Sequence, residues 1–261
     1  MWSFPLGAAL VSATFAFLLG RQWVARRRPH QLAWTAALAM FAVATLATAQ
    51  GVRLGWTPGL FRVYYLFGAM INVPFLAVGT MYLLSKRRWA GHGFAALVLV
   101  AAVYGAAAMV STHLDAAVLE GVRGIPEARF VITGTATART LSRYYSYTSF
   151  TIVVLGALWS ALRLSRQPPT ADSARLRRLA TGNILIAAGT FVVAAASIAV
   201  RLGRGSEVAM LFSVGLLAGI SLMFTGFLRT RPKPVLAAAG GAAPAGPAAP
   251  ASPATPAPSE A

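Results

Sequence analysis

The sequence predicts an all-α membrane protein, a bundle of seven transmembrane helices with the N-terminus outside and the C-terminus in the cytoplasm. Three observations carry this expectation. Of 261 residues, 57% are hydrophobic and 11% charged, and the mean hydropathy is +0.65, which is too apolar for an ordinary soluble domain. Seven separate stretches approach the ~20 apolar residues that a spanning helix needs. Lys and Arg gather in alternate loops, as they do where one side faces the anionic cytoplasmic leaflet.

In order, the stretches run Trp2–Gly20, Leu32–Gln50, Leu60–Leu84, Gly93–Ser111, Ser146–Leu162, Leu179–Val200 and Val208–Leu228. The first lacks a basic leader and a small-x-small cleavage site, and its charges follow the apolar run, so it is expected to stay as a helix inserted N-terminus out. The third holds Asn72 and Pro74 near its centre. Pro74 has no N–H for the carbonyl of Met70 and should kink or loosen that helix.

Between the fourth and fifth stretches lies Thr112–Tyr145, too long for a plain connector and a candidate lid over the outer mouth of the bundle. Within it, His113–Arg123 predicts a short amphipathic helix closed by Gly124 and Pro126, and Arg129–Thr133 a short strand. Thr181 and Asn183 open the sixth helix as capping or packing groups. Gly215 and Gly219 form a small-xxx-small pair on the seventh, suited to close helix packing. The predicted membrane domain is therefore 1–234. Beyond it, 235–261 is Ala, Pro, Gly and Ser with the single charge Glu260, expected to be a disordered cytoplasmic tail.

Orientation follows from the cations. Fifteen of the 23 Lys and Arg fall after helices one, three, five and seven, in the clusters Arg21–Arg28, Lys86–Arg88, Arg163–Arg178 and Arg229–Lys233. The other side holds the remaining eight together with Asp115, Glu120, Glu127 and Glu207. The fifteen belong in the cytoplasm. All six Trp stand at or near helix ends, where interfacial anchors sit. The net charge of +17 would point to nucleic acid in a soluble protein. Here it is spread in short clusters between apolar runs, so the expected partner is the lipid bilayer of a bacterial inner (plasma) membrane and no nucleic acid.

Helices one to three and five to seven share one orientation, and Val52-Arg-Leu-Gly55 recurs as Val200-Arg-Leu-Gly203. Both features suit a parallel 3+1+3 repeat.

The residues that could carry chemistry are few. With no cysteine, disulfides, thiolate catalysis and Cys-ligated metals are excluded. Asp, Glu, Lys and His are missing from mid-span positions, which argues against proton pumping, and helix seven has no Lys for a Schiff base. His30, His92 and His113 lack a metal-binding spacing, and the common hydrolase, kinase and nucleotide signatures are absent. The expectation is a protein without catalytic residues, cofactor or metal.

Six residues stand out as ligand-binding candidates: Asn72, Pro74, Arg62, Tyr65, Arg143 and Tyr147. An amide beside a proline-freed carbonyl at bilayer depth suits a ligand's polar group, or alternatively locks a neighbouring helix. Arg62, Tyr64 and Tyr65 at the start of helix three are expected to face Arg139, Arg143, Tyr144, Tyr145 and Tyr147 before helix five. Guanidinium forks and phenols suit an anionic or carbohydrate-like ligand; the competing reading is an aromatic belt with Arg on acids or lipid phosphate.

The stretches Gly156–Leu162 and Gly182–Gly189, with the run from Arg26 to Trp34, resemble segments of seven-helix membrane proteins of actinobacterial type that carry no assigned function. The resemblance implies the topology and supplies no binding or catalytic residues. Two classes of function follow: a non-enzymatic sensor or membrane interaction protein, with a small ligand or a membrane protein as partner, and a facilitative transporter of a small neutral or anionic solute.

Overall fold

A computed structural model describes residues 1–85, 87–122, 124–134, 137–166, 173–202 and 206–230. The expected tail and Gly203 of the second Val-Arg-Leu-Gly lie outside them. Among the described residues seven helices are long and apolar enough to cross a membrane, so the chain reads as a multi-pass membrane protein.

Helices α1 (Ser3–Arg26) and α2 (Pro29–Leu54) are joined by a tight reversal. Arg27 closes α1 in the left-handed conformation (φ 49°), its N–H on the Trp23 carbonyl at 2.6 Å, and Pro29 starts α2 where its missing N–H costs nothing. The third span, Pro58–Leu84, is one rod in three parts. It comprises α3 (Pro58–Tyr64), capped by the Thr57 hydroxyl, then a π-helical segment Tyr65–Ile71, then α4 (Asn72–Leu84). The chain thus accommodates Pro74 by widening the preceding turns. In the i→i+5 register the residue facing the Ala69 carbonyl is Pro74, which has no N–H to give. That carbonyl instead accepts from Ser142 Oγ at 2.9 Å and Ser146 Oγ at 2.8 Å. The carbonyl that the two serines bond is Ala69, one residue before Met70.

The remaining elements are α5 (Arg88–Ser111), the single turns α6 (Ala116–Leu119) and α7 (Ala128–Val131), then α8 (Thr137–Ser165), α9 (Ser173–Leu202) and α10 (Ser206–Thr230). Several start before their apolar cores; α8 begins at Thr137 rather than Ser146. Its first turns carry Arg139 and Arg143, yet stay helical because Ala138, Leu141 and Ser142 pack on the third span. In the shortened loop, Asp115 caps α6 by accepting from the N–H groups of Ala117 and Val118 at 3.0 and 3.3 Å. The predicted strand at Arg129–Thr133 is not formed. Residues 128–131 make a helical turn, and Ile132 alone pairs across to Leu114, because the facing arm is too short to extend a ladder.

Around the bundle the contacts run α1–α2, α2–third span, third span–α8, α8–α9, α9–α10 and α10–α1, a closed ring of six. The fourth span, α5, lies outside that ring against the third span and α8. Its outer face shows Leu97, Val100, Val103 and Val110 at 63 to 72% exposure, the surface expected to meet lipid tails.

The tightest seam is α9–α10. A Cβ on Gly189 would stand 2.5 Å from the Gly219 carbonyl oxygen, and one on Gly226 2.5 Å from that of Gly182. Gly215 rests on Ala196 in the same way. Asn183 packs rather than caps, donating from Nδ2 to Ser160 Oγ at 2.8 Å across α8–α9.

Two tryptophans expected as interfacial anchors prove to be packing groups. Trp34 lies on Gly79 and donates to the Leu76 carbonyl at 3.1 Å. Trp56 is buried on Gly51 and donates to the Gly124 carbonyl at 2.7 Å, tying the long loop to the end of α2. Trp2, Trp89 and Trp159 remain exposed.

Candidate functional site

Inside the ring, α2, the third span, α8, α9 and α10 enclose a cavity of about 610 Å³, a volume typical of one small-molecule ligand. It follows α2 from Ala37 to Thr48, about 16 Å. Pro126, Glu127, Ala128 and Arg129 of the long loop stand at its near end. Beyond Leu76 the interior is packed, with Trp34 on the Leu76 carbonyl and Phe15 against Phe224 and Phe227 at 5.2 and 4.7 Å between centroids. The walls are mainly apolar, with Phe41, Leu216, Ile220 and Met223 prominent.

The polar lining is arranged by depth. Nearest the loop, Glu127 and Arg129 pair at 2.7 Å, so the carboxylate is already engaged. Next come Arg139 and Arg143, a turn apart on α8, with Ser142 and Ser146 on the adjoining face. Arg139 reaches the Arg129 carbonyl through Nη1 at 3.4 Å, while its Nε is buried without a hydrogen-bond partner. Neither Arg139 nor Arg143 has a carboxylate partner among the described residues.

Asn72 lies deeper. The Ser142 and Ser146 bonds to Ala69, with Gly156 beside Thr80 and Leu84, set the register of α8 against the third span. Asn72 therefore sits about one helical turn, ~5 Å, below Arg143. It is 4% exposed, and its Oδ1 is buried with no hydrogen-bond partner. The hydroxyls of Thr45, Thr48, Thr190 and Ser197 each donate to a carbonyl one turn back, at 2.8 to 2.9 Å. Their donors are occupied and their lone pairs remain available.

Of the six sequence candidates, the fold gathers Asn72, Tyr65, Arg143 and Tyr147 around this cavity. Pro74 is buried in the third span and acts on the site by shaping the π segment. Arg62 stands apart, donating from Nη2 to the Thr112 carbonyl at 3.0 Å and so holding the end of α5. Tyr144 is exposed, and Tyr145 donates to the Ala101 carbonyl on α5 at 3.1 Å. Sequence reasoning missed the contributions of α2, α9 and α10. Thr45-Leu-Ala-Thr48 places two hydroxyls on one face of an otherwise apolar helix, a signal that could have found the first of these.

Neither a family model, nor a curated protein, nor a solved structure matches the chain. What the site can do is therefore read from its chemistry. It offers hydrogen-bonding groups around a mainly apolar void, with two guanidiniums that have no carboxylate partner among the described residues.

Proposed function

We propose that the chain is a non-enzymatic ligand-binding protein of the bacterial inner membrane, of the sensor or interaction type, with the long loop outside and the C-terminus in the cytoplasm. The observation that carries this is Asn72. A carbonyl oxygen buried at span depth without a partner costs about 1–3 kcal/mol, and it borders a cavity large enough for the group that would satisfy it. Binding at the loop end would be relayed to the basic loops at the opposite end.

Native mass spectrometry of protein in nanodiscs tests the reading. A stoichiometric small-molecule adduct beyond bulk lipid is expected in the wild type and lost in the cavity-filling Ala194→Trp. No adduct in the wild type, or the same adduct in the filled variant, ends it. The orientation rests on the fifteen clustered cations and is tested with thiol reagents, since the chain has no cysteine of its own. Glu120→Cys should label in intact cells and Arg88→Cys only after permeabilisation; the reverse pattern refutes the topology.

A second reading, facilitative transport, draws on the ring. Its order, with helix one across from five, two from six and three from seven, is compatible with the proposed 3+1+3 repeat, whose test is superposition of helices one to three on five to seven. Uptake of a solute down its gradient into protein-containing vesicles separates the two, because a sensor gives none.

A further inference from the structure

The flank of the cavity carries more information than its depth. Helices α8 and α9 run antiparallel, joined through Asn183 to Ser160 and by Phe150 against Phe191, 6.5 Å between centroids. Continuing from these contacts toward the loop end, Tyr147 comes level with Ala194 and Ala195, and Arg143 with Ile198. All five line the cavity. Yet Tyr147 is 52% exposed, Phe191 61% and Ile198 43%. Residues that line an interior space and are also open at the flank of a bundle border an opening, and this one faces the region occupied by lipid tails.

The chemistry along this opening has a fixed order. Arg139 and Arg143 come first, with no carboxylate paired to either among the described residues. The unpaired Asn72 Oδ1 lies about one turn deeper, and the cavity closes about one further turn below it at Ala37, Leu76 and Met223, its walls mainly apolar throughout. A small water-soluble anion would satisfy the guanidiniums and leave the apolar depth empty. A neutral lipid would fill the depth and leave the charge unmatched.

We infer that the ligand is an amphipathic anion taken from the bilayer, entering sideways between α8 and α9, its head on Arg139 and Arg143 and its chain lying beside Asn72 along the apolar walls of Phe41, Leu216 and Ile220. The inference rests on the cavity-binding reading proposed above. Asn72 adds a further requirement: an acceptor without a partner calls for a hydroxyl or amide N–H just below the charged head. The Arg pair provides charge-assisted bonds that fix the head at one depth.

Three probes separate head from tail: 1-oleoyl-lysophosphatidate, 1-oleoylglycerol and glycerol 3-phosphate, each titrated against the full chain in phosphatidylcholine nanodiscs. Lysophosphatidate is expected to bind at least about tenfold more tightly than either of the others. Arg139→Ala and Arg143→Ala should each weaken it at least about tenfold and leave oleoylglycerol unchanged, while Arg143→Lys, which keeps the charge but loses the fork, should fall between the wild type and Arg143→Ala. Ala195→Trp, at the flank, should slow association from donor vesicles several-fold more than it changes affinity.

Glycerol 3-phosphate binding as tightly as lysophosphatidate would overturn the membrane source. Equal binding of oleoylglycerol, insensitive to both Arg substitutions, would overturn the anionic head while leaving the cavity reading intact. An unchanged association rate in Ala195→Trp would overturn the lateral route. Should none of the probes bind, the inference falls, and the adduct comparison with Ala194→Trp decides the broader reading separately.

Discussion

Replacing Asn72 with Leu distinguishes a ligand group from a structural one by the sign of a stability change. If the amide locked two helices together, its loss would destabilise the bundle by roughly the 0.6 kcal/mol average of interhelical hydrogen bonds in membranes. The Oδ1 atom, however, is buried without a partner on a residue only 4% exposed. Removing it relieves a desolvation cost of about 1–3 kcal/mol. Leu has the same number of side-chain heavy atoms as Asn but is bulkier, two methyls replacing the amide oxygen and NH2; the adjoining 610 Å³ space can take the added bulk, so overpacking subtracts well under its usual ~1–3 kcal/mol. The ligand-free protein should gain about 1–2 kcal/mol. Equilibrium unfolding in mixed micelles measures this, with the nanodisc adduct recorded in parallel and expected to weaken. A Leu variant less stable than the wild type by more than about 0.5 kcal/mol would mean that Asn72 is bonded after all, and the case for a ligand there would collapse.

Ser146→Ala should cost about 0.5–1 kcal/mol in the wild type but almost nothing in a Pro74→Ala background, where the restored N–H can take up a freed carbonyl of the π turn; additive effects would refute the link between Pro74 and Ala69. Gly189→Ala, which drives a methyl onto the Gly219 carbonyl, should destabilise by about 1–3 kcal/mol. Gly93→Ala, whose Cβ would meet no atom within 4 Å, should be neutral or gain up to ~1 kcal/mol. Thermal melts in detergent compare the two, and equal losses would contradict the packing. Arg62→Ala should lower stability by about 1–2 kcal/mol through its bond to the Thr112 carbonyl and leave ligand affinity unchanged; a variant that is equally stable but cannot bind would return Arg62 to the site.

The spans were legible because hydrophobic length is a local property, and so was the oddity of Asn72 and Pro74 in an apolar run. What Pro74 does was not, because the outcome depends on α8: Ser142 and Ser146 come from a helix more than sixty residues away. The same distance problem hid the walls supplied by α9 and α10 and misled the reading of tryptophan. Trp34 and Trp56 sit at helix ends as anchors do, but each faces a glycine on another turn, and only the fold shows which glycine. The early start of α8 escaped notice because hydropathy marks where a helix is apolar, while its end is set by capping and packing. That misplacement assigned Arg139 and Arg143 to a loop, although their separation of one turn is what aims both at the cavity.

The glycine contacts between α9 and α10 have a mechanical consequence. Backbones that meet at Gly182 with Gly226 and at Gly189 with Gly219 leave little side chain between them along which to slide, so the pair is expected to move as one stiff strut. Strain imposed on the ring must then concentrate in its softer joints. The joint between α8 and α9 is held through side chains such as Asn183 and Phe150, and the π turn of the third span answers to it through the two serines. Any widening of the bundle would be borne at that joint, with α9 and α10 swinging together as a single leaf.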